Sequence, residues 1–210
     1  MKTRMKTGLL TGLLVVVWST CRAGLYSESF SPNTTIPEGN MIGLTFAETV
    51  SDLPAGSFVT GLMVTLDVSG GYNGEFVISL QAPNGASMSL LNRPGVTGGD
   101  PYGYGGSGLN LTLSDAAVSP IQSTPETAGA VVTGTYKAAG SLAALSGSPA
   151  NGPWTLYFAD VGTGAGNPML NSFSLEITAV PEPVNVALGV FAAAGLLLQG
   201  GRAWRQRCRK

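Results

Sequence analysis

The sequence contains no histidine and only two cysteines, Cys21 near its start and Cys208 near its end. Without histidine, the Ser-His-Asp and Cys-His catalytic arrangements and any His-ligated zinc site are excluded. No cysteine lies between residues 24 and 180, so that segment can form no internal disulfide. Its stability must therefore come from a hydrophobic core or from a bound metal.

Basic residues are also scarce in the middle of the chain. Between residues 24 and 180 only Arg93 and Lys137 are basic, against eleven acidic residues, which gives this segment a formal net charge of −9. A surface this acidic excludes nucleic-acid binding through phosphate contacts. The acids either keep the protein soluble or attract calcium, and solubility is the simpler explanation for most of them.

The middle segment also lacks a sustained helical period, and the alternation typical of half-buried strands recurs instead. The clearest alternating stretches are 62–68, 76–81, 109–114, 154–159 and 173–178, and weaker ones are 42–47, 88–91 and 130–136. About eight strands with one apolar row each predict an all-β fold, an antiparallel β-sandwich or jelly roll. Trp154 and Phe173 fall on the apolar rows, so we expect them in the core rather than on a sugar-binding face.

The first 23 residues have the three parts of a secretory signal peptide. Lys2, Arg4 and Lys6 form a positive start, and residues 8–18 form an apolar run. The small residues before Gly24 predict cleavage between Ala23 and Gly24. A lipoprotein with Cys21 as the acylated residue is the alternative, although the residues before Cys21 fit that signal poorly.

The last thirty residues have the features of a second targeting signal. Pro181 and Pro183 disfavour helix on either side of Glu182, and the uncharged run 184–198 follows, extending to 201 if the next three residues are counted. A bilayer core needs about 20 residues, so the span 184–201 predicts a single hydrophobic helix of marginal length. The chain then ends in basic residues that should stay cytoplasmic and place the preceding domain outside: Arg202, Arg205, Arg207, Arg209 and Lys210.

The order Pro-Glu-Pro, hydrophobic helix and arginine-rich end resembles the PEP-CTERM sorting signal of Gram-negative bacteria. The resemblance implies an exosortase, a membrane-embedded cysteine protease, as the partner that recognises Pro181, Glu182 and Pro183 and removes the tail. The protein would be anchored in the inner membrane before processing and then reach the cell surface or the extracellular space. A plain C-terminal anchor is the alternative, and a buried core helix is disfavoured by the basic residues that follow.

Residues 41–178 resemble a second family, the proprotein-convertase P (Homo B) domain, a β jelly roll that accompanies subtilisin-like proteases. The resemblance lies in blocks that keep their order along the chain: 64–68, 74–76, 80–85, 90–95, 120–123, 134–137, 150–156, Asp160 and 170–175. It implies a domain of residues 24–180 between the signal peptide, 1–23, and the sorting segment, 181–210. In the family this module is not itself catalytic.

The P-domain resemblance also implies calcium, which needs six to eight oxygen ligands. The acids expected to bind it are Asp67, Glu75 and Asp160, and each could instead be an ordinary solvated acid. One departure from the family bears on this site. The loop 162–167 carries no acidic residue, where the family commonly has an aspartate.

These observations predict a non-catalytic, exported surface or extracellular protein rather than an enzyme. The alternatives are a module that binds calcium, polysaccharide or another protein, and an accessory to a subtilisin-like serine protease acting in trans. A serine-endopeptidase role would be that of the companion domain, because 155 residues cannot hold a subtilisin fold as well as this module.

Overall fold

The computed structural model describes residues 23–181. No helix among these residues is long and apolar enough to cross a membrane. The predicted leader up to residue 22, the motif residues Glu182 and Pro183, the apolar span 184–201 and the basic tail lie outside the described residues.

The described residues form two β-sheets that pack as a sandwich, so the all-β prediction is confirmed. The strands of the first sheet, in spatial order, are β1 (Gly24–Phe30), β10 (Met169–Pro181), β4 (Ser57–Ser69), β7 (Gly108–Leu113) and β8 (Val132–Tyr136), and β2 (Thr34–Thr35) pairs with the start of β10. The strands of the second sheet are β3 (Leu44–Val50), β9 (Gly152–Asp160), β5 (Phe76–Gln81) and β6 (Ser87–Asn92). Neighbouring strands run antiparallel except β7 and β8, which are parallel.

The apolar rows of the two sheets meet in one core. Trp154 is fully buried and Phe173 is 1% exposed, as the alternation predicted. The indole Nε1 of Trp154 donates a hydrogen bond to the carbonyl oxygen of Ala150 at 3.1 Å, so its polar atom is satisfied inside the core. Phe76 and Phe158 pack edge to face, with ring centroids 5.1 Å apart. Neither Trp154 nor Phe173 is available as a platform for a sugar.

Each of the eight predicted strands is present, and two strands were missed. In β1 the row facing the core consists of Tyr26, Glu28 and Phe30, while Leu25 points outward and is 66% exposed. An acid on the inner row and a leucine on the outer row break the alternation that identified the other strands. The second missed strand, β2, has only two residues, too short for any period.

The two ends of the described chain lie on neighbouring strands. Gly24 at the start of β1 pairs with Ala179 in β10, and Pro181 at the end of β10 pairs with Ser57 in β4. The opposite end of β10 begins at Met169. At about 3.3 Å per residue its thirteen residues span about 40 Å. The sandwich therefore has one end at which the described residues begin and finish, and a far end made of loops.

Candidate functional site

The far end of the sandwich brings Glu75 and Asp160 together. A single 3₁₀ turn, Asn73–Glu75, leads into β5, whose first residue Phe76 pairs with Asp160 at the end of β9. The backbone N–H of Val161 donates to the carbonyl oxygen of Glu75 at 3.0 Å. These backbone bonds fix two carboxylates, 85 residues apart in sequence, at the same sheet end.

Both carboxylates are buried and incompletely hydrogen-bonded. Asp160 is fully buried and Glu75 is 5% exposed. The N–H of Gly162 donates to Asp160 Oδ1 at 3.2 Å, whereas Asp160 Oδ2 and Glu75 Oε2 have no hydrogen-bond partner among the described residues. A buried, unpartnered carboxylate oxygen costs several kcal/mol unless it holds a proton or a cation. The pair is therefore a place where a positive charge is stabilising.

Burial raises the pKa of both carboxylates, as their position inside the fold leads one to expect. Burial raises the pKa of Asp160 to about 6; the Gly162 N–H opposes the rise, and the charges of Glu75 and Glu38 add to it. Burial also raises the pKa of Glu75, as does the charge of Glu38, while Arg93 lowers it. The negative charge of Glu38 thus acts on both buried acids, and the positive charge of Arg93 lowers the pKa of Glu75.

The loop after β9 closes over these carboxylates. Gly162 lies so near the Glu75 side chain that a Cβ added to it would be 2.0 Å from Glu75 Cδ. The N–H groups of Gly164, Ala165 and Gly166 all donate to Glu38 Oε1, with N–O distances of 2.7 Å for Ala165 and 3.2 Å for Gly166. Only glycine at position 162 allows this approach.

Asp67, the third acid predicted for the metal, lies in a different sheet. It stands in β4, where its Oδ1 accepts a hydrogen bond from Asn171 Nδ2 at 2.9 Å. Its charge is not among those that raise the pKa of Glu75 or Asp160. Glu38, which does interact with both, was not predicted, because it precedes β3 in a loop with no recognisable pattern.

The described residues supply some of the oxygen ligands that a calcium ion needs. The free oxygens Glu75 Oε2 and Asp160 Oδ2 are hard ligands of the kind calcium prefers. Within residues 23–181, however, no three Asp, Glu, Cys or His side chains are grouped closely enough to hold a metal ion by themselves. Glu75 and Asp160 would therefore hold calcium together with backbone carbonyls and water, which also serve as calcium ligands.

A second buried polar group is the first residue of the 3₁₀ turn itself. Asn73 is fully buried; its Nδ2 donates to Glu126 Oε2 at 2.9 Å and to the Gly108 carbonyl, and its Oδ1 accepts from the Gly108 N–H. Burial raises the pKa of Glu126, and its bonds to Asn73 and Gly106 oppose the rise. Glu126 also borders a shallow surface cavity of about 180 Å³. These contacts hold the glycine-rich segment before β7 against the turn that carries Glu75.

The described residues among those predicted for processing, Ala23, Gly24 and Pro181, lie at the opposite end from this site. Ala23 precedes β1 and is exposed, and Gly24 is the first residue of β1. Pro181 is the last residue of β10, within the sheet. Glu182, Pro183 and the basic residues of the tail lie outside the described part: Arg202, Arg205, Arg207, Arg209 and Lys210.

No family model matches the chain, and no curated protein matches it. Among solved structures, a serine protease of Aeromonas sobria is similar, with 13% identity and a TM-score of 0.47; the match covers 74% of this chain and 27% of that one. A structure titled as the Aeromonas sobria serine protease and chaperone (ORF2) complex gives 13% identity and a TM-score of 0.46, covering 77% and 27%. The chain spans about a quarter of the length of these matches, and a likeness at this level concerns the fold alone.

Proposed function

We propose that the chain is an exported, non-catalytic β-sandwich module, directed outward by its leader and sorted by its C-terminal segment. The observation that supports this most is that the sandwich lies between the two predicted targeting segments. The first strand starts at Gly24, directly after the predicted leader cleavage point, and the last strand reaches Pro181, the first residue of the predicted sorting motif. The sandwich fills the interval between the two predicted processing points.

The pairing of the first and last strands supports the same proposal. Gly24 and Ala179 are register partners, so the described residues that border the predicted leader and the predicted sorting segment lie at the same end of the sandwich. The predicted tail would hold the domain at the membrane before processing, and the domain would then be released to the cell surface or the extracellular space.

The burial of the acids supports the non-catalytic part of the proposal. A pair of carboxylates can perform acid–base or glycosidase chemistry only when a substrate reaches it. With exposures of 0% and 5%, Asp160 and Glu75 offer no open face to a substrate. No histidine exists in the sequence to activate a nucleophile.

The sorting proposal is tested by changing the motif in the native host. Replacing Pro181, Glu182 and Pro183 with alanine should keep the protein in the membrane fraction. Asp52→Asn, at an exposed site in the loop before β4, is the matched control and should not change the distribution. Release of the triple variant as efficiently as the wild type would refute sorting through this motif. Peptide or glycoside turnover by the purified protein would refute the non-catalytic assignment.

A second candidate function, calcium binding, is favoured by the two unpartnered buried oxygens of Glu75 and Asp160. Calcium bound to the folded state alone would stabilise it by about 2.7 kcal/mol at a concentration 100 times its dissociation constant. Thermal unfolding in calcium, in magnesium and in EDTA tests this. We expect calcium to raise the unfolding temperature above that in EDTA, and identical melting curves in the three conditions would exclude a specific site.

A further inference from the structure

We propose that Glu38 is a positioning residue of the calcium site formed by Glu75 and Asp160, acting from a separate loop through its hydrogen bonds to the loop after β9. This inference rests on the calcium-binding candidate above and goes beyond it, because it assigns a role to a residue that contributes no ligand atom. Residues 161–167 contain no carboxylate of their own. The negative charge beside that loop comes instead from Glu38, more than 120 residues earlier in the chain.

The hydrogen bonds between the two loops are reciprocal. Three consecutive N–H groups, those of Gly164, Ala165 and Gly166, point at the Glu38 carboxylate. In return, the Glu38 N–H donates to Asn167 Oδ1 at 2.9 Å. Charge-assisted bonds from several backbone N–H groups to one carboxylate are strong and specify geometry. The conformation of the loop therefore depends on Glu38.

That loop conformation sets the position of the two buried carboxylates. Gly162, near the start of the loop, donates to Asp160 Oδ1 and lies against the Glu75 side chain. On the other side, the N–H of Asn40, two residues after Glu38, donates to the Asp160 carbonyl oxygen at 2.9 Å. A displacement of either loop would move groups that contact both carboxylates.

Glu38 also contributes charge. Its carboxylate raises the pKa of both Glu75 and Asp160, which means that the three groups share one electrostatic environment. A field that repels further negative charge attracts a divalent cation. Residues that orient metal ligands typically change metal affinity 10- to 100-fold when they are replaced.

The test is calcium titration calorimetry on the full chain, purified in a mild detergent. Glu38→Gln should bind calcium about 10- to 100-fold more weakly than the wild type. Asn167→Ala, which removes one inter-loop bond and no charge, should weaken binding by a smaller factor. Asp52→Asn removes an exposed acid in the loop before β4 and should bind as the wild type does.

Three results would overturn the inference. Equal affinity for Glu38→Gln and the wild type would show that Glu38 does not position the site, while leaving calcium binding intact. An equal loss in Asp52→Asn would show a general charge effect. Absence of calcium binding by the wild type would overturn both this inference and the calcium candidate, without touching the export proposal. Far-ultraviolet circular dichroism in EDTA checks that each variant is folded. If Glu38→Gln is not folded, Glu38→Asp, which keeps the charge, takes its place.

Discussion

The replacement Asp160→Asn should stabilise the protein in the absence of metal. The pKa of Asp160 is raised from its ordinary value of 3.8 to about 6, with burial as the main cause. When the pKa of a group differs by one unit between the folded and unfolded states, the two protonation states differ by about 1.4 kcal/mol in folding free energy. The ionised carboxylate therefore costs the folded state about 3 kcal/mol at pH 7.5. Asparagine removes that cost, because it carries no charge at any of these pH values.

The pH dependence distinguishes this explanation from a general packing effect. Because the folded protein binds this proton more tightly than the unfolded chain does, wild-type stability falls as pH rises from about 4 through 6. The advantage of Asp160→Asn should be about 3 kcal/mol at pH 7.5 and below about 1 kcal/mol at pH 4. The advantage should also shrink in saturating calcium, because calcium stabilises the wild type more than the variant.

The assay is urea unfolding of the full chain in EDTA, followed by far-ultraviolet circular dichroism at several pH values. Asp67→Asn is the matched control, because Asp67 is hydrogen-bonded to Asn171 and lies in the other sheet. A variant less stable than the wild type at pH 7.5 would refute the reasoning. An advantage that stayed constant between pH 4 and 7.5 would show that the ionised charge is not its cause.

Three further substitutions test other contacts, each by urea unfolding. Phe173→Ala should cost about 3–5 kcal/mol, because the side chain is 1% exposed in the core. Asn73→Ala should cost more than about 2 kcal/mol, because it leaves the Gly108 N–H and carbonyl without their side-chain partner. Asp115→Ala should cost about 1 kcal/mol, because this carboxylate accepts the N–H groups of Leu142 and Ala143 at 3.0 and 2.8 Å. Burial opposes these bonds, but they and Lys137 hold the pKa of Asp115 below its ordinary value, so its contribution should be lost as pH falls through that lowered value.

The core strands were predictable because each needs only one inward apolar row. The residues from Trp154 to Ala159, for example, alternate without interruption, and the structure places them in β9. The edge strand β1 was missed because Glu28 stands on its inner row and Leu25 on its outer row. An edge strand has a neighbouring strand on one side only, so its residues need not follow a regular apolar and polar pattern.

Only part of the candidate site could be predicted from the sequence. Glu75 and Asp160 stand at strand ends within sequence blocks that resemble a known module, and the structure brings them together. Asp67 belongs to a similar block, but the pleat of β4 directs it to Asn171. Glu38 lies in a loop whose position depends on hydrogen bonds to the backbone of residues 164–166. Backbone N–H groups carry no sequence signature, so no pattern in the chain could have identified that contact.

The central claim is that the chain is a sorted, exported sandwich, and the intact mass of the native protein tests it most directly. The protein would be recovered separately from the membrane and extracellular fractions of its host. We predict an extracellular species that begins at Gly24, the first residue of β1, and ends between Pro181, in β10, and Pro183. A protein found only in the membrane, with its tail through Lys210 intact, would contradict sorting and make the tail a permanent anchor.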